Sequence, residues 1–167
     1  MAIPVLLAAL WSATAADRLS ELQKNFDSET NAVHKAKMME KLGDVEFEEA
    51  GQAEKNGDYS RMGLLLEKYR DNVRIASDAL AKANPDGERH PAGYKQLEMH
   101  LQKGLREMDE FVLEAPDPYK PPLQLVRQDL LNLDNQLLRS LFPERPTIKS
   151  PVIKPPTALP PSFRVRR

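Results

Sequence analysis

The three histidines are the residues best suited to acid–base chemistry or metal binding, but their spacing favours neither. His34, His90 and His100 occur in no H-E-x-x-H or E-x-x-H pattern. His34 and Met38 lie on the same helical face at positions i and i+4. With Met39 nearby, these side chains could bind copper, which accepts soft thioether ligands as well as imidazole. Core packing of the methionines explains the same pattern. We expect His34 at the edge of the core and His100 as a partly buried, hydrogen-bonded side chain.

A run of acids, comprising Asp44, Glu46, Glu48 and Glu49, could supply the paired carboxylates of a glycosidase. A convex helical surface has no cleft that would raise the pKa of one member, so we expect a solvated acidic face. The 167 residues include no Cys, which excludes a disulfide framework, a catalytic thiol and a Cys-ligated metal. The sequence also has no G-x-S-x-G elbow and no glycine-rich phosphate loop. We therefore predict a non-enzymatic protein without catalytic, cofactor-binding or metal-binding residues.

The formal net charge of −1 conceals two parts of opposite sign. The segment 143–167 has six basic residues against one acid, so it carries +5 and the rest of the chain carries −6. An acidic body repels phosphate, which argues against nucleic-acid binding. The basic end, with Arg164, Arg166 and Arg167, is suited to an anionic envelope component or membrane surface, and a purely solubilising end remains the alternative.

Residues 1–16 have the pattern of a signal peptide. They contain no charged side chain, and their apolar stretch is followed by small residues, with Ala13 and Ala15 forming an A-x-A pair. Cleavage after Ala15 or Ala16 would place the protein in the periplasm or outside the cell. The segment has no Lys or Arg, so the true start codon could lie upstream. A buried N-terminal helix and a retained signal anchor are the alternatives.

Hydrophobic residues recur at helical spacing throughout residues 17–142, and no strand pattern competes. The spacing predicts helices over about 17–29, 31–56, 58–83, 91–115 and 123–142, with the prolines at 118, 121 and 122 forming a stiff connector into the last one. One line of the second helix contains Met39, Leu42, Glu46, Ala50 and Ala53; the corresponding line of the third contains Met62, Leu66, Tyr69, Val73, Ala76 and Leu80. Gly104 lies within the apolar stripe of the fourth helix, which indicates close helix approach. We predict an antiparallel bundle of about five helices.

The segment 143–167 has seven prolines and no helical or alternating period, so it is predicted to be disordered. The chain then divides into a signal peptide at 1–16, a helical domain at 17–142 and a basic, proline-rich tail. No transmembrane span is expected in the mature chain.

One stretch resembles a tetratricopeptide hairpin. Leu42-Gly43 matches the L-G pair of the first helix, and Gly57-Asp58-Tyr59 matches the turn that opens the second. The interval between these motifs is longer than in the family, and Met62 stands where the family prefers Ala. The resemblance covers about thirty residues in a single copy, and it implies a helical hairpin and peptide binding. As a whole, the chain also resembles small exported bacterial helical proteins without an assigned activity.

These observations favour an exported protein-interaction or envelope-associated structural module. Aromatic and methionine side chains supply adaptable contacts, so the candidate contact residues in the hairpin region are Tyr59, Met62, Tyr69 and Tyr94, although core packing also accounts for each. The alternative is a bundle that binds a small ligand or metal through His34, Met38 and His100. The sequence does not name the partner and leaves the oligomeric state open.

Overall fold

The computed structural model describes residues 8–143, with side chains described from residue 17 onward. All regular secondary structure in this range is helical. The five α-helices are α1 (Ala8–Ser28), α2 (Ala32–Lys55), α3 (Tyr59–Ala83), α4 (Pro91–Glu114) and α5 (Lys120–Leu141). A single 3₁₀ turn, Asp117–Tyr119, leads into α5. The prediction of an all-α fold with about five helices is therefore confirmed.

Helices α2 and α3 begin at a capping side chain, and helices α4 and α5 begin with a proline in the first turn. The side chain of Asn31 accepts a hydrogen bond from the His34 N–H at 2.9 Å, and Asp58 does the same for Arg61 at 3.0 Å. Pro91 occupies the first turn of α4, where a missing N–H costs nothing. Between α2 and α3, Gly57 has a φ of 72°, a left-handed conformation that favours glycine.

Helix α1 begins at Ala8, nine residues before the start expected at Asp17. It therefore continues into the predicted signal peptide, and export remains a prediction because a helical apolar segment is compatible with either reading. Residues 1–7 and the tail beyond Pro143 lie outside the described residues. Among the helices that the structure describes, none is both long enough and apolar enough to cross a membrane.

Helices α2 to α5 form a four-helix arrangement in which α2 contacts α3 and α4, and α5 contacts the same two helices. The Asp109–Arg127 ion pair joins the later part of α4 to the early part of α5, so these helices are antiparallel. The Tyr59–Tyr119 ring contact and the Arg70–Asp129 ion pair show that α3 and α5 run in the same direction. Helix α1 packs along α2, where Phe26 is fully buried.

Tyr69 lies at the centre of the core, where α2, α3 and α4 meet. Its ring is fully buried and contacts the edge of Phe47 at a centroid distance of 4.7 Å. The ring fits because two glycines face it: a Cβ on Gly43 would lie 2.8 Å from Tyr69 Cε2, and a Cβ on Gly104 would overlap Tyr69 Oη. The close approach expected at Gly104 is confirmed. All six members of the predicted α3 stripe are buried.

The Gly104→Ala variant should lose stability. The added Cβ would overlap Tyr69 Oη, and the ring cannot withdraw because its other edge lies against Gly43. We expect a loss of about 2 kcal/mol in the free energy of unfolding, the scale of overpacking a filled core. Gly63→Ala is the matched control, because a Cβ there meets nothing within 4 Å; it should gain up to about 1 kcal/mol from helix propensity. Urea denaturation measures both, and equal gains would contradict this account of the core.

Candidate functional site

A cleft of about 240 Å³ opens between α2 and α4. It is too small for most drug-sized ligands, whose sites occupy about 300–1,000 Å³, but it suits one side chain or a small polar molecule. Met99 stands at its rim with 69% of its surface exposed. The lining residues are Ala36, Lys37, Glu40, Asp44, Gln96, Met99, His100 and Lys103.

His100 is the buried polar residue of this lining, with 7% of its surface exposed. Its ring lies over Gly43, the glycine that also makes room for Tyr69, and its centroid is 5.7 Å from that of Tyr69. Burial lowers the pKa of His100; nearby Asp44 raises it to a lesser extent. The imidazole is therefore neutral at pH 7. Its Nε2 is buried and has no hydrogen-bond partner among the described residues.

The charged residues of the cleft balance in sign. Asp44 accepts a hydrogen bond from Lys103 Nζ at 2.7 Å, and this contact raises the pKa of Lys103. Lys37 and Glu40 also line the cleft, and within residues 17–143 neither takes part in an ion pair. One ammonium and one carboxylate are thus available beside a neutral imidazole. This combination is suited to polar recognition rather than to binding a strongly charged group.

A buried chain of polar side chains lies elsewhere in the core. Asn72 Nδ2 donates to Glu46 Oε1 and to Gln23 Oε1, each at 2.8 Å, which joins α3 to both α2 and α1. Glu46 has no exposed surface, and its Oε2 has no partner among the described residues. Burial raises the pKa of Glu46 to about 8, against the lowering effect of the Asn72 hydrogen bond. At pH 7 the folded protein therefore keeps this carboxyl protonated.

The expectation of a solvated acidic face is wrong for half of the acidic run. Glu46 is completely buried, and Glu49, with 6% of its surface exposed, receives a hydrogen bond from Arg61 at 2.6 Å. Asp44 and Glu48 do face solvent. The reason is helical position: Glu46 and Glu49 lie on the side of α2 that packs against α3, where Asn72 and Arg61 supply polar partners.

Known proteins offer no guide to this site. No family model, curated protein or solved structure matches the chain. The tetratricopeptide resemblance therefore stays a prediction. Its Leu42-Gly43 pair has a structural role, because Gly43 faces both Tyr69 and His100.

The structure places the candidate contact residues mainly in the core. Met62, Tyr69 and Tyr94 have at most 1% of their surface exposed, so they contact other helices and offer no surface to a partner in this conformation. Tyr59 is only partly buried, and its ring packs against that of Tyr119 at 5.2 Å. The three arginines predicted to bind an anionic surface, Arg164, Arg166 and Arg167, lie outside the described residues.

The structure does not place His34, Met38 and His100 in one binding site. His34 is exposed and pairs with Glu29 at the start of α2, whereas His100 is buried in the middle of α4. Met38 is partly buried against the core and does not line the cleft. Over the range with described side chains, no three His, Asp or Glu residues are arranged to hold a metal ion.

The buried carboxyl of Glu46 should make stability depend on pH. The folded pKa of about 8 lies above the ordinary 4.5, so the unfolded chain releases this proton first as the pH rises. Relative to Glu46→Gln, the wild type should lose about 1.4 kcal/mol of unfolding free energy per pH unit between these values, and the difference should level off above them.

Urea denaturation at pH 5, 6, 7 and 8 measures this difference. Glu48→Gln is the matched control, because Glu48 is exposed on the same helix and its removal should give no such slope. A wild-type-minus-variant difference that stays constant from pH 5 to pH 8 would show that Glu46 is not buried as a neutral acid.

Proposed function

We propose that the chain is an exported, non-enzymatic interaction module that binds another protein through the cleft between α2 and α4. The observation that carries this proposal is the exposed Met99 at the rim of a cleft whose buried polar residue is the neutral His100. A flexible apolar side chain beside a pocket of one-residue size is suited to hold an anchoring side chain from a partner.

A binding role is favoured over a catalytic one by the position of the remaining ionisable groups. Glu46 and Tyr69 are fully buried and do not line the cleft, so a molecule bound there meets only His100 among the buried titratable groups. Asp44 is engaged by Lys103. The cleft thus offers hydrogen bonds and shape, without a second buried group to exchange protons with His100.

The second candidate is a small polar ligand in the same cleft. The unpartnered Nε2 of His100 and the unpaired Lys37 and Glu40 favour it. The ligand site predicted from the sequence consisted of His34, Met38 and His100. The site proposed here retains His100, but its other residues are those that line the cleft. A small ligand would remain bound to the isolated protein, whereas an anchoring side chain would arrive only with its partner.

A photo-crosslinking amino acid at position 99 tests the protein-binding proposal. In the native cell, irradiation should give one discrete adduct from position 99 and none from position 113. Leu113 is the matched control because it lies on the same helix and is 77% exposed. Filling the cleft with Gln96→Trp should reduce the adduct at least tenfold, whereas Gln128→Trp, at an exposed site on α5, should not. Adducts of equal yield from positions 99 and 113 would contradict a specific site.

We further propose that the basic tail beyond Pro143 attaches the module to an anionic envelope surface. The support is the charge division in the sequence, +5 in the tail against −6 in the rest of the chain. In this arrangement the cleft selects a partner and the tail determines where the module resides. Each function is then carried by a different part of the chain.

Replacing Arg164, Arg166 and Arg167 with Gln should weaken binding to vesicles that contain phosphatidylglycerol by about a hundredfold, at about 1 kcal/mol per arginine. Vesicle co-sedimentation measures the affinity, and added salt should weaken the wild type more than the variant. The control replaces three exposed basic residues of the body, Lys24, Lys95 and Arg106, with Gln. Equal binding of the two triple variants would overturn the attachment proposal.

A further inference from the structure

Helix α1 is attached to the bundle by a pair of amides that continues to a buried acid. Gln23 and Asn72 exchange two hydrogen bonds, at 2.8 and 3.2 Å, and Asn72 also donates to Glu46 at 2.8 Å. Gln23 additionally donates to Asp27 on its own helix at 2.7 Å. Gln23 of α1, Asn72 of α3 and Glu46 of α2 thus form a continuous chain of hydrogen bonds that links the three helices.

The surroundings of Glu46 require its carboxyl to be neutral. The side chain has no exposed surface, and among the described residues Asn72 is its one hydrogen-bond partner. An isolated carboxylate in such a site is costly, because nothing replaces the water that it loses. Burial accordingly raises the pKa of Glu46 to about 8.

The charged and titratable groups near Glu46 come from each neighbouring helix. From α3, Lys68 acts to lower the pKa of Glu46, and the buried Tyr69 is close enough for Glu46 to raise its pKa in turn. From α1, Asp27 lies one hydrogen bond beyond Gln23. From α4, Glu107 affects Tyr69, and His100 contacts the Tyr69 ring. Of these groups, Lys68 is the one cation acting on Glu46, and no ion pair joins them within the described residues.

Water would reach Glu46 most directly from the α1 side. Gln23 is the partly exposed member of the chain of amides, whereas Asn72 and Glu46 are completely buried. The connection between α1 and α2 spans only residues 29–31. Movement of α1 away from α3 would break both Gln23–Asn72 hydrogen bonds and leave the α2–α3 contact through Asn72 and Glu46 in place.

We infer that Glu46 and Asn72 form a proton-dependent latch that holds α1 against α2 and α3. With its proton, Glu46 remains buried and Asn72 stays paired with Gln23. When the proton is lost, the carboxylate gains hydration only if α1 moves away. Opening would also expose Phe26 and the apolar surface against which it packs, both of which are buried in the closed protein.

The latch has a defined pH dependence. The pKa of Glu46 is about 8 in the closed form, and in the open form it has the ordinary value of 4.5. Between these two pH values, the equilibrium constant for opening therefore rises tenfold for each pH unit. Above pH 8 both forms have released the proton, so the opening equilibrium no longer changes. Raising the pH within this window therefore loosens α1.

Native-state hydrogen exchange of the full chain between pH 5 and pH 9 tests the latch. After correction for intrinsic exchange, amides of α1 should be less protected than those of α4, because α1 opens without global unfolding. Protection in α1 should fall about tenfold per pH unit up to pH 8. In Glu46→Gln, which keeps the shape of the side chain without an ionisable group, α1 protection should not depend on pH.

Three outcomes would overturn the inference. If α1 and α4 are equally protected at every pH, then α1 does not open separately. If α1 is less protected but its protection does not change with pH, then opening does not expose Glu46. The same pH slope in wild type and Glu46→Gln would assign the effect to another group.

The Gln23→Ala variant provides a second measurement that does not alter the acid. It removes the α1 member of the latch, so α1 protection should fall at least fivefold at pH 6, while the dependence on pH is retained. An unchanged α1 protection in this variant would show that the Gln23–Asn72 contact does not hold the helix.

Discussion

The position of Tyr69 constrains the rest of the bundle. Its ring projects from α3 into a space that exists only because Gly43 on α2 and Gly104 on α4 have no side chains. Close packing at this point leaves little freedom in the distance between α2 and α4. That distance in turn determines the width of the cleft and the depth at which His100 lies. A substitution at the centre of the core would therefore be felt at the surface where a partner is proposed to bind.

Much of the fold could be predicted because helical spacing reports burial directly. The third-helix line from Met62 to Leu80 is buried throughout, and the capping role of Asp58 also follows from residue type. Glu46 shows how residue type can mislead. It shared a line with Leu42 and Ala50, a clear signal of burial, yet its charge suggested solvent. Spacing was the better guide, because a protonated acid with an amide partner can be accommodated in a core.

The candidate cleft could not be predicted in the same way. His100 meets Gly43 only because α2 and α4 run side by side, and periodicity within one helix does not reveal which helices are neighbours. The contact residues are a different case: the side chains of Met62 and Tyr69 are chemically suited to contact a partner, but their place in the α3 stripe indicates burial, and both are buried. Nothing in the sequence marks Met99 as a contact residue, because single exposed apolar residues are common on protein surfaces. Its position beside a cavity is visible only in the structure.

The end of α5 packs against the turn before α4, where Gly87 lies so close to the Ser140 carbonyl that a side chain would collide with it. The chain thus leaves the bundle beside the start of α4, the helix whose first half forms one wall of the cleft. The next 24 residues, 144–167, follow from this point, and a chain of that length can reach at most about 80 Å, farther than the longest described helix. A protein partner in the cleft and an anionic surface bound by the tail would then be held close to each other. Binding of the first would raise the effective concentration of the second near its own site.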